Sequence, residues 1–213
     1  MTLPSARTRI IFSILLSAIF VLPPLPAQAS AKADVPPLDE FVEEVVNGES
    51  DVLRGVYIPD VLADPVALQP EENPAYVSSR EDTLTQFEMA SQYGSTGLLA
   101  HNYRAGKDFS LLETGQLIYL IYGDGRVESF IVVQFMRFRA LRPNSVTSNF
   151  VDLDNGERLS APMLFLEVYN KPGYVIMQTC INAFGNNSWG RLFVIAEPYD
   201  EGYFQSEVYL GFD

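Results

Sequence analysis

From Val56 onward, apolar residues fall into short runs, many alternating with polar ones and separated by Gly, Asn, Asp and Pro. Short runs bounded by turn residues predict strands. Val56–Pro59 and Pro65–Leu68 predict a strand pair, or a strand and bend. Thr96–Ala100 predicts a strand that runs directly into His101. Gln116–Tyr122 and Arg126–Phe138 flank Gly123-Asp124-Gly125 and predict a hairpin. Asp154-Asn155-Gly156 marks another turn, and Met163–Val168, Tyr174–Thr179 and Leu192–Ala196 supply three more strands. Helical signals are few. Asp82 to Tyr93 predicts a short helix with Asp82 as N-cap and Gly94 as its stop. Phe41, Val42, Val45 and Val46 are spaced for one short amphipathic helix whose acidic side is a solvated face. About eight strands with one or two short helices imply a mainly β protein, closed or nearly closed into a barrel.

The N-terminus has a different pattern. Arg7 and Arg9 precede an apolar stretch, Ile10 to Leu22, interrupted only by Ser13 and Ser17. Pro23, Pro24 and Pro26 break it, and Ala27-Gln28-Ala29 fits a small-x-small cleavage site. Residues 1–29 therefore predict a secretory signal peptide cleaved after Ala29, giving a secreted or surface-associated protein. The competing reading is a retained anchor, for which the run is shorter than the roughly 20 apolar residues a spanning helix needs. Residues 30–54, rich in Ala, Pro, Asp and Glu, form an arm, and residues 55–213 form the β domain.

Composition narrows the function. The 213 residues are 47% hydrophobic and 12% aromatic, enough for a packed core. Acidic residues outnumber basic ones by 27 to 14, for a net charge of −13. That balance disfavours nucleic acid and anionic membrane surfaces, which are bound through basic patches. With one Cys and one His, an internal disulfide is impossible and a zinc site would lack ligands. No metal or cofactor is predicted. Asp152-Leu153-Asp154-Asn155-Gly156 has the start of a calcium loop without its closing Glu, and reads as an acidic turn.

The single Cys and His each end a predicted strand, where a rigid scaffold presents reactive groups. Arg191 opens the next predicted strand after the turn-rich Gly185–Gly190 segment. Two antiparallel strands joined there would bring Cys180 and Arg191 close, since paired strands lie about 4.8 Å apart. A thiol with a pKa near about 8.5 is only partly thiolate at neutral pH, and a cationic neighbour raises that fraction. Attack on a peptide carbonyl creates an oxyanion, which the always-charged guanidinium of Arg191 suits. His101 can protonate a leaving amine and deprotonate an incoming one. The other reading of Cys180 is a core thiol.

Ile176-Met177-Gln178-Thr179-Cys180 followed by Trp189-Gly190-Arg191-Leu192-Phe193-Val194 resembles the Leu-x-Thr-Cys and downstream Arg strands of the sortase family. Thr96-Gly97-Leu98-Leu99-Ala100-His101-Asn102 is similar to its apolar strand ending in a catalytic His. Phe109-Ser110-Leu111-Leu112 with Gly115–Leu120, and Tyr57-Ile58-Pro59 with Asp64-Pro65-Val66, resemble further family segments. Met177 stands where the family usually has Leu, and Gln116 where it has Asp. The resemblance implies a sortase-like closed barrel and a cysteine transpeptidase with His101, Cys180 and Arg191 as catalytic residues. Thr179 and Trp189 would contact substrate. The implied partners are a peptide or protein with a C-terminal sorting-type motif and an amine acceptor. The alternatives are a secreted cysteine protease, in which water resolves the intermediate, and a catalytically silent binding module.

Overall fold

A computed structural model describes residues 35–145 and 147–200; the expected signal peptide, residues 1–29, lies outside them. The chain begins with α1 (Leu38–Val45), β1 (Leu53–Ile58), β2 (Leu62–Leu68), β3 (Leu84–Phe87), α2 (Glu88–Ser91) and β4 (Thr96–Leu99). A 3-10 helix (Ala105–Leu111), β5 (Leu117–Tyr122) and β6 (Val127–Ala140) follow. The rest is β7 (Phe150–Asp152), β8 (Arg158–Leu159), α3 (Ala161–Tyr169), β9 (Val175–Ala183) and β10 (Asn186–Pro198).

All strands belong to one sheet, ordered β10-β9-β4-β3-β2-β1-β5-β6-β7-β8. Because β10 also pairs with β6, the first eight strands of that order close into a barrel and β7 and β8 extend beyond it. The fold is mainly β, a closed eight-stranded barrel, as expected. Most neighbours are antiparallel; β2–β3 and β4–β9 are parallel.

Alternation along the strands builds two apolar layers. Val175 and Met177 of β9 with Leu192, Val194 and Ala196 of β10 enter the barrel interior, alongside Val56, Leu98, Phe109 and Leu120. The intervening Ile176, Phe193 and Ile195 face outward and are covered by Leu164, Val168 and Tyr169 of α3. Burial on both faces removes the polar alternation by which half-exposed strands are read from sequence.

Two expectations need correction. The run Met163–Val168 lies in α3, not in a strand. Short apolar runs are ambiguous between buried strand and helix. Here Ser160 caps the helix, its Oγ accepting from the Met163 N–H at 3.4 Å, and Pro162 stands in the first turn. The expected helix Asp82–Tyr93 is a strand, β3, followed by the single-turn α2. Pairing of Thr85, Gln86 and Phe87 with β4 overrides local propensity there. The described residues hold three short α-helices and one 3-10 helix beside the barrel.

The helix read in the arm is α1, and its Phe41 is only 1% exposed. It packs where β1 has a glycine: a Cβ on Gly55 would stand 2.8 Å from the Phe41 ring. Beyond α1, the N–H groups of Asn47 and Gly48 both donate to the Gly123 carbonyl in the β5–β6 turn. Phe41→Ala should cost about 3 to 5 kcal/mol of stability in urea unfolding, the range for emptying a buried phenylalanine site. An unchanged midpoint would show that α1 contributes nothing to the domain.

Asp64 of β2 is buried, and burial first, then the charges of Asp82 and Asp108, push its pKa from 3.8 to about 7. The folded protein therefore holds a proton on Asp64 that the unfolded chain has already released. This group's contribution to stability is fully present at low pH and falls as pH rises from about 4 to about 7. Asp64→Asn should stabilise the protein at pH 8 relative to pH 5, on the order of a few kcal/mol. Thermal unfolding across that range checks it; a pH-independent difference is the contrary result.

Candidate active site

Cys180 and Arg191 are directly opposed partners on the antiparallel β9–β10 pair. Opposed residues share a face with their Cα atoms about 4.5 to 5.5 Å apart. The face is the outward one, because Thr179 and Leu192, each one step away, are buried. Cys180 is the free cysteine of the described residues and is half-buried.

His101 arrives from the other side of β9. β4 runs parallel to β9, with Leu98 level with Met177 and Leu99 level with Gln178. The ladder continues past the formal end of β4, since the Ala100 N–H donates to the Gln178 carbonyl at 3.1 Å. The Thr179 hydroxyl donates to the Ala100 carbonyl at 3.0 Å. His101 is the next residue along the chain, and there the ladder ends. Of the three residues singled out in the sequence, Cys180 and Arg191 lie on the paired strands β9 and β10, and His101 follows the end of β4 on the other side of β9.

The strand ends differ from expectation. Cys180 is not at the end of its strand: β9 runs on to Ala183, and β10 begins at Asn186. The expected Gly185–Gly190 loop is mostly strand, closed by a tight turn in which Phe184 and Gly185 have φ of 51° and 75°. The thiol thus projects from a paired strand, which holds its position more firmly than a loop would.

A short segment after His101 closes over the inner side of the site. The His101 carbonyl accepts from the Arg104 and Gly106 N–H groups, at 2.9 and 3.1 Å. Gly106 then lies so close that a Cβ there would stand 2.8 Å from the carbonyl oxygens of both Ala100 and His101. Asn102 Nδ2 donates to the Asn187 carbonyl at 2.9 Å, tying the His101 segment to the β9–β10 hairpin. Sequence reading passed over both residues, although Asn102 adjoins His101 and could have been weighed for that reason.

The His101 ring stacks on Tyr103, with centroids 5.2 Å apart and planes 16° from parallel. Among the described residues no hydrogen bond joins the imidazole to the thiol; such bonds often tighten only when substrate is bound. Arg191 is held by its own hairpin: Nη1 donates to the Ser188 and Gly190 carbonyls at 3.2 and 2.8 Å. Its guanidinium carbon lies 5.9 Å from the Phe150 ring centroid. Among the described residues Nε and Nη2 have no protein acceptor, which leaves them for an incoming carbonyl or oxyanion.

Two cavities border these strands, the first of them also lined by the inward-side residues Thr179, Ile181 and Leu192. One of about 260 Å³ is lined by Cys180 with Asn102, Gly106, Lys107 and Ser110. The other, about 290 Å³ and largely apolar, is lined by Arg191, Gln178, Phe150, Leu164, Phe165 and Phe193. Tyr169, whose buried phenol has a raised pKa, donates to Gln178 Oε1 at 2.7 Å and orients that side chain two residues before the thiol. Thr179 is 4% exposed, and its hydroxyl is spent on Ala100. Trp189 is half-buried and meets the exposed Phe184 edge-on at 6.0 Å. Among the described residues no three His, Cys, Asp or Glu side chains are grouped to hold a metal ion.

No family model matches the chain, and neither does any curated protein. Solved structures do. Sortase C from Clostridium perfringens SM101 matches at 17% identity over 76% of this chain and 82% of that one, with a TM-score of 0.44. Sortase C1 from Streptococcus suis matches at 18% over 76% and 78%, with a TM-score of 0.48. Sortase C-1 from Actinomyces oris matches at 13% over 78% and 82%, with a TM-score of 0.47. The chain is similar in fold to sortases. None of these likenesses assigns a role to a residue, so the chemical case rests on the site's own geometry.

Gly106→Ala should distort the His101 segment, because the new methyl meets two backbone carbonyls that cannot yield cheaply. A loss of about 1 to 3 kcal/mol is expected, together with a changed alkylation rate at Cys180. A fully stable variant with an unaltered rate would show that the close approach is immaterial.

Proposed function

We propose that the protein is an exported, sortase-like cysteine transpeptidase acting through His101, Cys180 and Arg191. The observation that supports this reading is the cross-strand pairing of Cys180 with Arg191, with His101 following the end of β4, the strand on the other side of β9.

The chemistry follows from that order. The Cys180 thiolate attacks a peptide carbonyl, and Arg191 donates to the oxyanion through the guanidinium nitrogens left free by Ser188 and Gly190. As the tetrahedral intermediate collapses, His101 gives a proton to the leaving amine, and a thioacyl bond to Cys180 remains. An incoming amine loses its proton to His101 and takes the acyl group, restoring the thiol. The apolar cavity beside Arg191 suits hydrophobic side chains of the donor peptide, with Gln178 in its wall, and Trp189, two residues before Arg191, is a further substrate contact. Thr179 acts through its backbone and as a tie to Ala100, since its hydroxyl is already bonded. The donor is a peptide or protein carrying a C-terminal sorting-type motif. The leader, residues 1–29, delivers the domain outside the cell and is cleaved after Ala29.

The experiment is incubation of the protein with a peptide library, with and without an amine acceptor, read by mass spectrometry. The expected products are amine adducts of cleaved peptides, lost in Cys180→Ala and reduced at least about 100-fold in His101→Ala. Arg191→Lys should fall well short of wild type, because a point charge does not reproduce a planar fork of donors. Hydrolysis alone, with no adduct at any acceptor concentration, would make the protein a protease. Activity unchanged in Cys180→Ala would refute both enzymatic readings.

A further inference from the structure

Lys107 borders the Cys180 cavity and also a second cavity of about 300 Å³. Three carboxylates from separate parts of the chain line the latter: Asp64 of β2, Asp82 just before β3, and Asp108 of the 3-10 helix. Asp64 is 5% exposed, and its Oδ2 has no hydrogen-bond partner. Among the described residues none of the three carboxylates is within ion-pairing distance of a cation. Lys107 is the positive charge acting on Asp64 and Asp108, while nearby Arg104 is paired with Glu81. One ammonium facing three acids leaves the cavity short of positive charge, so Asp64 keeps its proton until about pH 7, and a second cation there would favour its release.

The chemistry of the lining bears on the kind of cation. A calcium ion needs six or more oxygens converging at about 2.3 to 2.6 Å, and these carboxylates are not grouped for that. An alkylammonium needs only three acceptors, which can be roughly 4.6 Å apart around one tetrahedral nitrogen. The cavity also has an apolar wall in Val35, Pro36, Val61 and Leu62, suited to a methylene stem that ends in a charge.

We propose that this cavity binds the alkylammonium group of a peptide partner, a lysine side chain or a free N-terminal amine, between Asp64, Asp82 and Asp108. The bound nitrogen is not the one that reacts, because an ammonium has no lone pair and Cys180 borders the neighbouring cavity. The site anchors a partner beside the thiol, with Lys107 on the boundary between the two.

The test uses the full chain carrying Cys180→Ala, so that binding is read without turnover. Acetyl-Gly-Lys-Gly-amide and Gly-Gly-amide are titrated separately and followed by amide NMR shifts, with acetyl-Gly-norleucine-Gly-amide as the uncharged control. Saturable shifts around residues 61–64 and 107–108 are expected with at least one charged probe, which also identifies the source of the ammonium. Asp64→Asn and Asp108→Asn, each verified as folded by its own spectrum, should weaken binding about tenfold or more. Equal binding of the norleucine probe, binding unaffected by both substitutions, or no shift with either charged probe would overturn the proposal. Saturation of the same amides by calcium chloride at lower concentrations would overturn it in favour of a metal. Because the thiol is absent, failure here leaves the transpeptidase reading intact, and failure of that reading leaves this binding measurable.

Discussion

The pairing of β10 on both edges, with β9 on one side and β6 on the other, is the constraint on which the rest depends. It closes the barrel and leaves β10 no free edge, so the strand cannot slip without breaking two ladders. A slip of one residue would turn every side chain of β10 to the opposite face. Arg191 would then enter the interior and Leu192 would leave it. The burial of Leu192, Val194 and Ala196 inside, and of Phe193 and Ile195 under α3, therefore also holds Arg191 level with Cys180.

The parallel β4–β9 pair supplies the other half of the arrangement. Parallel neighbours need a long crossover, and here the connection from β4 to β9 contains the 3-10 helix, β5 to β8 and α3. The 3-10 helix supplies Gly106 and Lys107 to the wall beside the thiol, and α3 walls the apolar cavity beside Arg191. Much of the chain between His101 and Cys180 thus shapes the surroundings of the two residues it separates. The same 3-10 helix contributes Asp108 to the acidic cavity, so both cavities share one structural wall.

Much of this was legible along the chain. The Gly123-Asp124-Gly125 turn, the strand leading into His101 and the apolar runs of β9 and β10 were visible because their residues speak for themselves locally. The run Met163–Val168 was not. Its apolar composition suits burial in either state, and the Ser160 cap with Pro162 is a weaker signal than the hydrophobic run. The Asp82–Tyr93 segment misled in the opposite way, because helix signals at its ends hid a strand recruited by β4. Asp64 was read only as part of the Asp64-Pro65-Val66 segment, since only neighbours distant in sequence make its carboxyl unusual.

Read along the chain alone, the residues imply a mainly β domain, an acidic charge balance, and a single Cys and a single His with an Arg at strand-like spacing after the Cys. These are properties of composition and local periodicity, and they do not require knowledge of which strands meet. The three-dimensional fold was needed to put Cys180 within a strand, to make Arg191 its cross-strand partner, and to set the strand that leads into His101 parallel beside β9. It also decided that Asp64, Asp82 and Asp108 surround one cavity. The reason is physical: register and barrel closure are set by burial summed over many strands, and no single segment carries that sum.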